Sequence, residues 1–145
     1  MLSRTASNLY WMARYVERAG NLARVMEVAD RMSLMPSTNL EGPGPGSEWH
    51  SALITSGNED GYLQKHEHIR GQQIQSYLLF DADNPSSVRS CFETARQNAR
   101  MVRSNLTTEV WESINDTWLE FSKKSATPLD GNNLRSCLLY TSPSP

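Results

Sequence analysis

The stretch Tyr10-Trp11-Met12-Ala13-Arg14-Tyr15-Val16-Glu17-Arg18-Ala19-Gly20-Asn21-Leu22-Ala23-Arg24 decides the fold class. It holds no proline, and Leu9, Met12, Val16, Ala19, Ala23 and Met26 recur at gaps of three or four. That spacing is the apolar stripe of an amphipathic helix. At about 100° per residue, Arg14, Glu17, Arg18, Asn21 and Arg24 form a second, polar stripe on the other side. Tyr10, Trp11 and Val25 lie among those charges, which predicts a central helix, at least partly buried all round, whose arginines meet partners. Buried arginines require acceptors, so Glu17 is expected to pair with an arginine across a helix interface. Under that expectation, Glu17→Gln costs about 2–4 kcal/mol.

Working outward, the totals are modest. The chain has 145 residues, a net charge of −2, 38% hydrophobic and 21% charged residues, which fits one small domain with a thin core. The near-neutral charge argues against nucleic-acid binding. Cys91 and Cys137 lie far apart in the chain and suggest neither a disulfide framework nor a metal cluster. Met1-Leu2-Ser3-Arg4-Thr5 lacks the apolar run of a signal peptide, and no stretch has membrane-spanning length. A cytoplasmic protein that does not enter a membrane is the expectation.

The first helix is expected from a Ser3 cap to about Met35, with Pro36 stopping it. The glycine–proline run at 39–46 reads as a loop. Ser47 opens a short helix whose apolar face is Trp49, Leu53 and Ile54, ended by Gly57. From Asn58 to Gln73 the pattern is weak; His66 and His68 stand at i, i+2, the wrong spacing for helical metal ligands, and read as solvated. Ile74, Tyr77, Leu78 and Phe80 mark a helix ending at Phe80. Asp81-Ala82-Asp83-Asn84-Pro85-Ser86-Ser87 then resembles a helix cap, with Asn84 at N-cap and Pro85 at N1, rather than a calcium loop. Val88, Cys91, Ala95, Ala99, Val102 and Leu106 form the next face, flanked by Glu93, Arg96, Arg100 and Arg103. Thr107 caps a last helix carrying Val110, Trp111, Ile114, Trp118 and Phe121. Helices over 4–34, 86–104 and 108–123, packed as a bundle without β-sheet, give an all-α fold.

Two segments echo each other: residues 17–24 and 93–100 share Glu, Ala, Ala and Arg at four aligned places. The echo predicts two helices presenting similar Glu/Arg seams to a shared space.

The N-terminal run from Met1 through Tyr10-Trp11, Glu17-Arg18, Asn21 and Arg24 resembles the start of the bacterial alpha-E family, all-helical proteins with a Glu-Arg motif. A second resemblance runs from Phe80-Asp81 and Asn84-Pro85-Ser86-Ser87 through Arg96, Asn98 and Arg100 to Trp111-Glu112. It covers residues 1–124, taken as the N-terminal part of a larger helical domain. Residues 125–133 read as a linker, and 134–145, Cys137 included, resemble a non-native, adapter-like tail. The resemblance implies association with ATP-grasp ligases and transglutaminase-like proteins, hence a part in handling peptides through their amide bonds. From the residues themselves no cofactor and no metal are expected.

Two functions follow. In the first, Arg14, Glu17, Arg18, Asn21, Arg24, Arg96, Arg100 and Arg103 bind carboxylate or phosphate groups of a peptide substrate, since the planar guanidinium fork suits both. In the second, the same residues only fix helix packing. An independent enzyme has less support: no Ser-His-Asp or Cys-His spacing and no glycine-rich phosphate loop stands out.

Overall fold

A computed structural model of the chain describes residues 2–35, 47–125 and 134–138. Its elements are α1 (Leu2–Ser33), α2 (Ser47–Thr55), α3 (Glu59–Lys65), α4 (Gly71–Phe80), α5 (Val88–Met101), a 3-10 turn (Arg103–Asn105) and α6 (Thr108–Ser125). No strand occurs among the described residues. The fold is all-α. The loop expected at 39–46 and residues 126–133 of the expected linker lie outside the described residues.

With 32 residues, α1 is a rod of about 48 Å. It already begins at Leu2, so Ser3 lies within the helix rather than capping it. Its buried residues are Ala19, Gly20, Leu22, Ala23, Met26 and Ala29, all in the second half. From Leu2 to Arg18 no residue is buried. The periodicity predicted the direction of the apolar stripe, but only half of it is covered.

α1 packs most extensively on α5 and next on α2; α4 bridges α2 and α5, and α6 rests on α5. Small residues allow the α1–α5 approach, for Ala19, Ala23, Ala95 and Ala99 are all buried. These are the alanines of the sequence echo. Its glutamates and arginines behave differently: Glu17, Glu93, Arg24 and Arg100 are all exposed. The echo therefore marks helix packing, and its aligned charges point to solvent.

The predicted face of α5 holds, with Val88, Cys91, Ala95, Ala99 and Val102 buried and Leu106 half-buried. Its start differs. Asn84 and Pro85 belong to the preceding turn, and the N-cap is Ser87, whose side chain accepts from the Ser90 N–H. Asn84 instead supports that turn, its Oδ1 accepting from Ser86 N at 3.0 Å and its Nδ2 donating to the Tyr77 carbonyl at 3.3 Å.

α2 ends as glycine dictates. Gly57 adopts φ +75, its N–H donates to the Ile54 carbonyl, and the Asn58 N–H reaches back to Leu53. This paired termination needs a left-handed residue at its pivot. Trp49, Ala52 and Leu53 are buried by α2, whereas Ile54 is exposed.

In α6 only Phe121 is buried. It meets Phe80 at 5.2 Å and Phe92 at 5.5 Å between ring centroids. Thr107 caps the helix as predicted, accepting from Val110 N at 3.3 Å. Residues 134–138, set aside in the sequence reading, form a helical turn with Leu134, Cys137 and Leu138 buried in the core. Arg135 Nε also lies 3.3 Å from Asp30 Oδ2 of α1.

Candidate functional site

The polar stripe of α1 does not act as one seam. Glu17 pairs with Arg14 on its own helix, at 3.7 Å, with the two side chains 60% and 51% exposed. The expected cross-helix partner is therefore replaced by an i, i+3 surface contact, because this part of α1 has no buried neighbour to offer one. Arg24 donates to Asn21 Oδ1 at 2.8 Å, again within the helix.

Arg18 is the exception. Its guanidinium reaches across 68 residues of sequence to donate to Ser86 Oγ at 3.3 Å, and its Cζ lies 5.4 Å from the Tyr15 ring centroid. No acid forms an ion pair with it among the described residues. It opens onto a pocket of about 240 Å³ lined by Arg18, Asn21, Leu22, Val25, Thr55, Ser56, Asn58 and Ser86. Four places in the chain thus converge: the middle of α1, the end of α2, the residue beyond Gly57, and the turn before α5.

Hydrogen-bond roles on the pocket wall follow from valence. Asn58 donates to the Ser56 carbonyl at 3.3 Å and to Ser56 Oγ at 2.9 Å. A carbonyl only accepts, so Nδ2 must face Ser56 and Oδ1 must face away. Likewise, Arg24 only donates, so Asn21 turns Oδ1 toward it and keeps Nδ2 for other contacts. Beneath the pocket, the Cys91 thiol lies 3.9 Å from the Ser86 carbonyl. Burial pushes its pKa up, with the Arg18 charge pulling the other way. At 1% exposure the thiol serves the packing of α5.

The arginines of α5 and of the turn after it separate by task. Arg96 Nε donates to Asn115 Oδ1 at 3.0 Å, tying α6 to α5. Arg103 lies 5.3 Å from the Trp111 ring centroid. Arg100 is exposed beside Gln97, Asn98 and Met101 on another surface. None of the three lines the Arg18 pocket.

A second polar cluster joins α3 to the turn after α4. Lys65 Nζ lies 2.7 Å from Asp81 Oδ2 and 3.5 Å from Asp83 Oδ2, and Asp81 Oδ1 accepts from Asp83 N at 2.9 Å. Burial raises the Asp81 pKa, but the Lys65 hydrogen bond, the backbone N–H groups of Asp83 and Asn84, and the Lys65 charge outweigh it, so the net shift is downward. The pair is self-neutralising. His66 stacks on Tyr62 at 4.7 Å between ring centroids and is half-buried, unlike exposed His68. No group of three His, Cys, Asp or Glu side chains suited to a metal occurs among the described residues.

Of the sequence candidates, Arg18 and Asn21 belong to the pocket, while Arg14, Glu17, Arg24, Arg96, Arg100 and Arg103 do not line it. The sequence reading missed Thr55, Ser56 and Asn58. Ser86 carried a signal, lying in the second matching run. Among the described residues no helix is long and apolar enough to cross a membrane.

No curated protein and no solved structure matches the chain. Over residues 1–140 it matches Alpha-E, described as a predicted alpha-helical domain with a conserved ER motif. The sequence contains one Glu-Arg dipeptide, Glu17-Arg18, so the motif coincides with the residue that reaches into the pocket, and the chain belongs to the Alpha-E family.

Proposed function

We propose that this domain is a binding component of a peptide-modifying system of the ATP-grasp ligase or transglutaminase-like kind, and that the Arg18 pocket receives an anionic group of the peptide. One observation carries the reading: Arg18 faces an open pocket whose lining residues include no acid. An arginine without a carboxylate partner, beside amide and hydroxyl groups, has the donor set for a carboxylate or phosphate. The lining hydroxyls of Thr55, Ser56 and Ser86 have no histidine or carboxylate beside them on the pocket wall to act as a general base. On this reading the domain binds and positions the peptide, and the bond chemistry belongs to the partner.

The structural alternative applies to the α5 half of the candidate set. Arg96 on Asn115 and Arg103 against Trp111 join α5 and its following turn to α6, which is a packing role. The test pairs Arg18→Met with Arg96→Met in a reconstituted system containing the partner ligase. Arg18→Met is expected to reduce peptide product about tenfold or more, the scale of one lost charged hydrogen-bond donor, while the melting temperature stays near wild type. Arg96→Met is expected to lower the melting temperature and spare the product per folded molecule. Equal activity of wild type and Arg18→Met overturns the binding reading.

A further inference from the structure

We infer that the Arg18 pocket takes the C-terminal residue of a peptide, its α-carboxylate on Arg18 and Asn21 and its amide N–H on Asn58 Oδ1. The inference rests on the binding reading above and narrows it to a ligand class.

Asn58 is only 7% exposed. Its Nδ2 is committed to Ser56, and Oδ1 accepts no hydrogen bond among the described residues. Yet no fully buried side-chain oxygen or nitrogen lacks a partner there, so Oδ1 keeps access to solvent, and Asn58 lines the pocket. A nearly buried carbonyl oxygen at a pocket wall is an acceptor that the N–H of a bound group can use in place of water. Arg18 and the Nδ2 of Asn21, both exposed, can donate to an acceptor in the pocket. The complementary ligand carries a negative acceptor and an N–H group a few ångströms apart. The last residue of a peptide has both, on adjacent positions of one backbone.

Competing ligands fit less well. A phosphate carries no N–H group and offers Asn58 Oδ1 a donor only through a protonated oxygen, which weakens its charge on Arg18. A cation is repelled by Arg18. The turn before α5 adds a favourable field: Ser86 directly precedes Ser87, the N-cap of this 14-residue helix, whose N-terminal end stabilises negative charge. At about 240 Å³ the pocket is smaller than the roughly 300–1,000 Å³ typical of drug-sized ligands, a scale that suits one terminal residue.

The experiment is an amide-shift NMR titration of the full chain, wild type and Arg18→Met, with five probes. These are N-acetyl-dialanine, its C-terminal amide, its depsipeptide in which an ester oxygen replaces the last N–H, a C-terminally amidated peptide with an acidic side chain, and inorganic phosphate. The free acid is expected to shift the amides of Asn58 and Ser86. The depsipeptide should bind about tenfold more weakly, the amide and phosphate at least as weakly, and Arg18→Met should abolish the response. If the depsipeptide matches the free acid, the role of Asn58 is overturned. If the amidated acidic peptide matches it, the C-terminal assignment fails while an anion pocket stands. No response to any probe overturns both the assignment and the binding reading.

Discussion

Phe121→Ala tests how α6 is held. Phe121 is fully buried and is the single buried residue of an 18-residue helix. Its ring meets Phe80 and Phe92 at 5.2 and 5.5 Å. Truncating a buried phenylalanine costs about 3–5 kcal/mol, combining lost transfer free energy with the cavity left behind. The lower end is expected, because α6 makes its principal packing on α5 alone and can settle toward the gap. Arg96–Asn115 and Arg103–Trp111 remain to guide it. A loss of about 3 kcal/mol lowers the melting temperature of a chain this size by roughly 10 °C and removes much of a typical domain's 5–15 kcal/mol. Urea unfolding followed by tryptophan fluorescence reads it directly, since Trp111 and Trp118 lie on α6. Phe121→Leu, which keeps most of the volume, should lose less than half as much. A cost below about 1 kcal/mol for Phe121→Ala would refute the claim that this ring anchors the helix.

Three further outcomes follow from the geometry. Glu17→Gln should change stability by less than about 0.5 kcal/mol, because the Arg14 pair is an exposed helical contact; a thermal melt shifted by several degrees refutes that. Gly61→Ala should destabilise although alanine is the better helix former by about 1 kcal/mol, since the new Cβ would sit 2.5 Å from the Tyr77 hydroxyl and that ring is buried; a raised melting temperature would count against the packing described. The Asp81 pKa is lowered in the fold, so its contribution is complete above the ordinary carboxylate range and is lost as pH falls through the folded-state value, below about 4. Asp81→Asn should flatten that acid limb of the stability–pH curve, and an unchanged limb would sink the assignment.

Much of the fold was legible because helix faces are periodic. Val88, Cys91, Ala95, Ala99 and Val102 could be read from spacing alone, and all are buried. Gly57 stopped α2 where expected. For α1 the same logic misled, since periodicity gives the direction of a side chain but not whether a neighbouring element extends far enough to cover it. Leu2–Arg18 carries the same apolar stripe as the buried half and remains without a buried residue; Trp11 is 45% exposed. That exposed arm should bind a hydrophobic dye, as the low apolar content suggested. The pocket was half legible. Arg18 and Asn21 stood out as unusual residues in an apolar helix, but Asn58 only opened a weakly patterned stretch, because its meaning depends on Ser56 occupying its Nδ2.

The order of the two residues in Glu17-Arg18 has a geometric consequence. Neighbours on a helix point about 100° apart, so Glu17 cannot lie along the path Arg18 takes to Ser86. It reaches Arg14 instead, one turn back. A glutamate three or four positions from Arg18 would form the intrahelical pair and occupy the guanidinium; at those positions stand Arg14, Tyr15, Asn21 and Leu22, none of them an acid. On the turn side, Arg18 meets the Ser86 hydroxyl, while the acids Asp81 and Asp83 are held by Lys65 on the other cluster. Arg18 thus has no carboxylate partner among the described residues. An arginine whose only role was packing would gain from a nearby carboxylate, whereas one that binds an anion would be blocked by it. The arrangement around Arg18 leaves its guanidinium open to an anion, as the proposed reading requires.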